Sequence, residues 1–276
     1  MDYKRTYGRL PNELREVSVA FDGLDGVDGS ARFSFGETKA LSSVSGPIEV
    51  RLAAEQASKA TFEVIVRPLS GLSGTESKVL ASALRGALLP SVILTNSPRT
   101  LVQLVAQALT PVCTSTGSLF RANPAFFAAL INASSLALLN AASVPMRGVV
   151  CAAAVGRLQN SGALLADPAE EERSALDGGG AFAFLVSGAK AGGDVPQPRA
   201  ELVWSSWSAA PFYEDELARA TELARVGAVR VWEHMREGIA RVLHRPTEAN
   251  MPTFIKKELD DEKNGDIMKH LQKKKG

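Results

Sequence analysis

From NPAFFAALINASSLALLNAASV, residues 123–144, the charge is missing: no residue between Phe126 and Val144 carries one. The stretch is nearly long enough to span a bilayer and apolar enough to fill a core, and the fold turns on which it does. Asn132, Ser134, Ser135, Asn140 and Ser143 decide between the two. Such groups are costly in hydrocarbon, whereas inside a protein each can meet a hydrogen-bond partner. The stretch therefore reads as a core helix of a soluble domain. Asn123 is a good N-cap and Pro124 suits the first turn. A helix start offers its N–H groups to anions, yet Ala125, Phe126 and Phe127 follow, with no glycine and no cation.

The rest of the chain supports a globular body. At 276 residues, 45% hydrophobic and 22% charged, it has room for one large domain or two small ones and buries a core without staples. A net charge of +1 excludes a global field for polyanions or membrane surfaces, so nucleic-acid contact would depend on local patches. Cys113 and Cys151 are the only cysteines, which argues against a disulfide scaffold and a cysteine zinc site. The opening MDYKRTYGRLPNELREV is charged from the outset and holds no apolar signal core, so cytosol, nucleus or both are expected.

Alternation marks strands at Val17, Val19 and Phe21, and at Ala31, Phe33 and Phe35, with TKALSSVSGP and TFEVIVRPL continuing the pattern. A helix is predicted to open at Ser73-Gly-Thr-Glu76, a capping-box spacing, and to run through SKVLASALRGALL. PRTLVQLVAQAL fits strand or helix. VVCAAAVGRL, GALLAD, AFAFLVSG and AELVWSSWS read as four more strands. A long amphipathic helix follows from Tyr213 to Leu243, with Leu217, Ala220, Ala224, Ala228, Val231, Met235, Ile239 and Val242 as its core stripe. Glu222/Arg225, Glu233/Arg236 and Glu237/Arg241 decorate its surface. The order predicts an α+β domain of two βα halves, mixed sheets packed with helices, over residues 1–246.

Residues 247–276 differ. Between Thr61 and Asn250 only Lys78 and Lys190 are lysines, whereas Lys256, Lys257, Lys263, Lys269, Lys273, Lys274 and Lys275 crowd the end among acids. Such a segment reads as a disordered solvated tail. Two alternatives stand beside that: a short helix docking through Phe254, Ile255, Leu259, Ile267, Met268 and Leu271, or a fused segment beginning near Met251.

Catalytic patterns are sparse. His234, His244 and His270 are scattered, and no nucleophile elbow, Walker loop or dinucleotide turn occurs. Gly178–Gly180 reads as a flexible hairpin between strands. The Asn132-Ala-Ser sequon lies inside the apolar helix. The acidic run DPAEEERSALD, 167–177, reads as a solvated loop, though it could supply metal ligands. No metal and no cofactor are expected.

GRLPNELREVSV (8–19), DGSARFSFGETKALSSVSGP (28–47) and INASSLALLNAASVPMRGVV (131–150) together resemble the RNase PH family. That resemblance implies an RNase PH-like βαβα domain assembled into hexameric rings. Active members degrade RNA from its 3′ end with inorganic phosphate as the attacking group. Phosphorolysis must bring two anions together, which demands fixed cations and backbone N–H groups. In active relatives Gly-Gly-Thr-Arg opens the middle helix and its Arg holds the phosphate; Pro124, Ala125, Phe126 and Phe127 stand there. An Arg of the preceding helix corresponds to Ser82, leaving Arg85. The two acidic positions fall near Glu172 and Asp177. Losing one oxyanion donor costs about 10²–10³ in rate, and here both cations and the glycines are gone.

The resemblance therefore implies a chain without catalytic residues, like the non-catalytic ring subunits of the eukaryotic RNA exosome. Because Gly8-Arg9 comes almost at once, it looks like the class nearer to bacterial RNase PH. The partners so implied are other RNase PH-like ring subunits, S1/KH-type cap proteins, an associated hydrolytic exoribonuclease and single-stranded RNA, with no membrane. The places implied are nucleus, nucleolus and cytoplasm. In relatives the loop after the third strand's Gly-Pro forms the channel neck. Here that loop is GPIEVRLAAEQASK, so Arg51 and Lys59 are the candidate RNA contacts, with Arg85 and Arg99 beside them. The alternatives are a divergent phosphorolytic or metal-dependent nuclease using Glu171, Glu172 and Asp177, and an independent RNA-binding homo-oligomer. Pro111–Asn123 and the tail after Arg245 depart from the family.

Overall fold

The structure, a computed structural model, describes residues 5, 8–21, 23–70, 73–110, 123–159, 161–188, 198–209 and 211–243. The first half contributes β1 (Val17–Ala20), β2 (Gly29–Phe35), β3 (Thr38–Glu49), β4 (Thr61–Arg67), α1 (Thr75–Leu88), β5 (Thr100–Ala108) and α2 (Pro124–Ala141). The second contributes β6 (Val149–Leu158), β7 (Leu164–Ala166), β8 (Leu176–Ser187), β9 (Arg199–Ser208) and α3 (Glu214–Leu243).

One sheet runs β1-β2-β3-β5-β4, with β4 parallel to β5 across the α1 crossover and every other pair antiparallel. The other runs β7-β6-β8-β9, antiparallel throughout. The ambiguous PRTLVQLVAQAL forms β5, because Val102, Leu104, Ala106 and Ala108 bury one face at a period of two.

Helix α2 lies between the sheets, touching β2, β3 and β5 on one side and β6 and β8 on the other. Every residue from Pro124 to Leu138 is buried, as a core helix requires. By length and composition it could cross a membrane, but its polar groups are all spent on the sheets. Asn132 donates to Ala152 O at 3.0 Å and accepts from Ala152 N at 2.7 Å. Ser135 donates to Val150 O at 2.6 Å, and Ser134 Oγ meets Ser42 Oγ at 3.0 Å. The helix thus stitches both sheets with bonds that water cannot reach. At its end β2 comes so close that a Cβ on Gly29 would stand 2.3 Å from Ala141 N.

The long helix α3 buries Ala220, Ala224, Ala228, Val231 and Met235 as expected, while Val242 is exposed. Two other expectations fail. The capping box at Ser73 does not form: Gly74 is the N-cap of α1, no side chain bonds there, and Glu76 falls one position too early. Gly178–Gly180 is no hairpin but the start of β8, where neighbouring backbone leaves no space. A Cβ on Gly180 would sit 2.0 Å from Ser206 O, and one on Gly178 2.5 Å from the Ala209 Cβ.

By contacts the chain divides into Met1–Gly238 and Ile239–Gly276; of the second unit only the last turn of α3 is described. The Lys-rich tail and Pro111–Ala122 lie outside the described residues.

Candidate functional site

A helix start offers its N–H groups to anions, and at the start of α2 two of those groups are taken by Asn123. Pro124 has none. The Phe126 amide donates to Asn123 Oδ1 at 2.9 Å, and the Phe127 amide to Asn123 O at 3.4 Å. Asn123 Nδ2 in turn donates to Glu170 Oε2 at 3.1 Å. Phe126 and Phe127 are buried, the latter against Trp204 with ring centroids 4.8 Å apart. Buried aromatic rings therefore fill the first turn of the helix, and the capping side chain answers one of its free donors, the Phe126 amide.

The acidic run is not a solvated loop. Asp167 and Glu172 are buried and bound by arginines from the N-terminal segment. Arg15 Nε and Nη2 donate to the two Asp167 carboxylate oxygens at 2.8 and 2.6 Å. Glu172 accepts from Arg5 Nε and Nη2, both at 3.1 Å, from Arg9 Nη2 at 3.2 Å and from the Ala169 amide at 2.9 Å. Burial, the largest influence on Glu172, pushes its pKa up; the bonds and charges of Arg5, Ala169 and Arg9 outweigh it and hold the carboxyl below its usual value. Asp177 is gripped by Arg157 through Nε at 2.7 Å and Nη2 at 2.8 Å, and that bond holds its pKa down. Both carboxylates, Glu172 and Asp177, are thus tied up in ion pairs. Reading the sequence missed Arg5, Arg9, Arg15 and Arg157; for the first three the available signal was an arginine-rich opening segment matched by an acidic run, while Arg157 lies on β6 with no such signal.

The four candidate RNA contacts gather at one end of the five-stranded sheet. β3 ends at Glu49 opposite Thr100, and β4 begins at Thr61 opposite Leu101, so Arg51, Lys59 and Arg99 flank the same edge. Arg51 and Lys59 are exposed. Arg99 pairs with Glu55 at 3.4 Å and sits at φ 61°, its amide donating to Gln56 O at 3.1 Å. Arg85, on α1, donates through Nε to Phe62 O at 3.0 Å and so anchors its helix to β4. His234 is exposed on α3, while His244, His270 and Cys113 lie outside the described residues. Cys151 is buried, and burial pushes its thiol pKa up. Among the described residues no group of His, Cys, Asp and Glu could hold a metal ion.

Residues 13–143 match the model of the 3′ exoribonuclease family, domain 1 (RNase PH). The exosome complex component rrp46 of Schizosaccharomyces pombe is 35% identical over 129 residues, 47% of this chain and 52% of that protein. The exosome complex exonuclease RRP46 homolog of Arabidopsis thaliana is 34% identical over 186 residues, 67% of this chain and 71% of that protein. The crystal structure of rice (Oryza sativa) Rrp46 superposes with a TM-score of 0.67 at 25% identity, covering 83% of this chain and 97% of that one. Sequence match and shared architecture agree: the chain belongs to the RNase PH family.

Proposed function

We propose that this chain is a non-catalytic structural subunit of an exosome core ring, supporting 3′-to-5′ RNA processing and degradation by associated nucleases. The relatives carry the exosome in their names. The observation that carries the non-catalytic part is the start of α2, where Asn123, Phe126 and Phe127 take the place of anion-holding groups. Rate enhancement in phosphorolysis needs charge stabilisation aimed at the phosphates, and the arginines nearest the acidic run are committed to carboxylates.

In this role the chain pairs with other RNase PH-like subunits in the ring, beneath S1/KH-type cap proteins and above a hydrolytic exoribonuclease, in nucleus, nucleolus and cytoplasm. Arg51 and Lys59, with Arg85 and Arg99, line the path of single-stranded RNA through backbone charge and not base identity. Incubation of the purified chain with 3′-labelled RNA, phosphate and Mg²⁺ tests the reading: no nucleoside diphosphate is expected, and its release would overturn it. The competing reading, an active nuclease using Glu171, Glu172 and Asp177, draws on the word exonuclease in the Arabidopsis relative's name; the same assay decides for it.

A further inference from the structure

A cavity of about 420 Å³ opens where the N-terminal segment, the β2–β3 turn and the loop after β7 meet the first turn of α2. Its lining is largely apolar, with Phe126 as one wall, and Arg9 and Arg15 reach it. Two arginines suggest an anion, but both are already matched, Arg9 to Glu172 and Arg15 to Asp167. The remaining charge is negative: Glu16, Glu37, Glu170 and Glu171 also line the cavity. Glu37 meets Lys39 and Glu170 meets Arg173. Glu16 and Glu171 are exposed and form no ion pair among the described residues. Arg9, which also lines the cavity, has its Nε buried with no acceptor among the described residues. A ligand fitting all three features brings a cation for the two carboxylates, apolar surface for Phe126 and a carbonyl for Arg9.

We propose that this cavity is a docking site for a basic peptide segment of another protein. A lysine or arginine head faces Glu16 and Glu171, its stem or an adjacent apolar side chain lies on Phe126, and a peptide carbonyl accepts from Arg9. Single-stranded RNA is disfavoured here, because its phosphates would meet a rim of carboxylates. The site is separate from the sheet end that carries Arg51 and Lys59, so its test does not depend on the RNA-binding reading.

Fluorescence anisotropy of the full chain with a short labelled peptide of alternating arginine and leucine tests the proposal. The basic peptide is expected to bind, more weakly as salt rises, and a glutamate–leucine peptide is not. Exposed charge pairs contribute modestly each, so Glu16→Lys combined with Glu171→Lys is expected to weaken binding about tenfold. Both positions are exposed and unpaired among the described residues, so the variant is expected to keep its fold. Asp25→Lys, in the turn at the opposite end of β2, leaves binding unchanged. Failure of the basic peptide to bind overturns the proposal, as does binding indifferent to the double reversal. Displacement of the peptide by short oligouridine would make the cavity an RNA site and overturn it too.

Discussion

Glu172 has a relative exposure of 1%, and its partner Arg5 spends its other donors on the carbonyls of Leu10, Glu13, Ala166 and Asp167. Removing one member of such a pair strands buried charge, which costs about 3–5 kcal/mol. Glu172→Ala is therefore expected to lower unfolding stability by about that much in urea titration, whereas Glu222→Ala, breaking an exposed pair on α3, costs less than about 1 kcal/mol. The pH dependence has a definite sign. The folded pKa of Glu172 lies below its ordinary 4.5, so the stabilisation is complete above that value and is lost as pH falls through the lower folded one. Asp177 acts in the same direction below its ordinary 3.8. Urea midpoints at pH 7 and pH 3 should differ less for Glu172→Gln than for the unaltered chain. These pairings were illegible in the sequence because they join residues 152 and 167 positions apart, and a local reading sees only an acidic run and a charged opening.

At the scale of elements, close approach explains what side-chain pattern cannot. Gly180 ends the triple glycine of β8, and Ser206 O of β9 stands where its Cβ would be. Gly180→Ala must push β9 away or bend β8, and overpacking of this kind costs about 3 kcal/mol. Thermal unfolding is expected to show it, while Gly74→Ala, with open space around the cap of α1, shows a far smaller loss. The same contrast explains what could be read beforehand. The strands with clean alternation, the uncharged α2 and the striped α3 were legible, since each repeats one period over many residues. The triple glycine was not, because composition favours a turn and only the neighbouring strand reveals why side chains are missing. Nor was the cap of α1 legible, since a shift of one residue turns a capping box into none. At the start of α2 the aromatic pair was visible in the sequence, and its reading as the filling of an anion site is what the resemblance implies. The use of Asn123 to absorb the Phe126 amide required coordinates.

For the whole molecule, a net charge of +1 leaves no long-range attraction for RNA, so the proposed channel contact depends on a local patch, and the patch proposed is the sheet end bearing Arg51, Lys59, Arg85 and Arg99. Geometry separates the four. Arg99 is offset by Glu55, and Arg85 has a structural task at Phe62 O. Arg51 and Lys59 are the exposed pair on the loop between β3 and β4. If each neutralises one phosphate, each contributes about 0.7 to the slope of log affinity against log salt for a single strand. Replacing both by alanine should flatten that slope by about 1.4 and weaken binding of every oligonucleotide alike, because backbone contacts carry no sequence preference. Arg99→Ala should change the slope less, since losing the arginine also frees Glu55. Arg85→Ala should lower stability by loosening α1 from β4 before it alters the slope. Titration of the full chain with labelled oligouridine across a salt series measures all four effects. A slope untouched by the double variant would move the RNA path away from this end of the sheet.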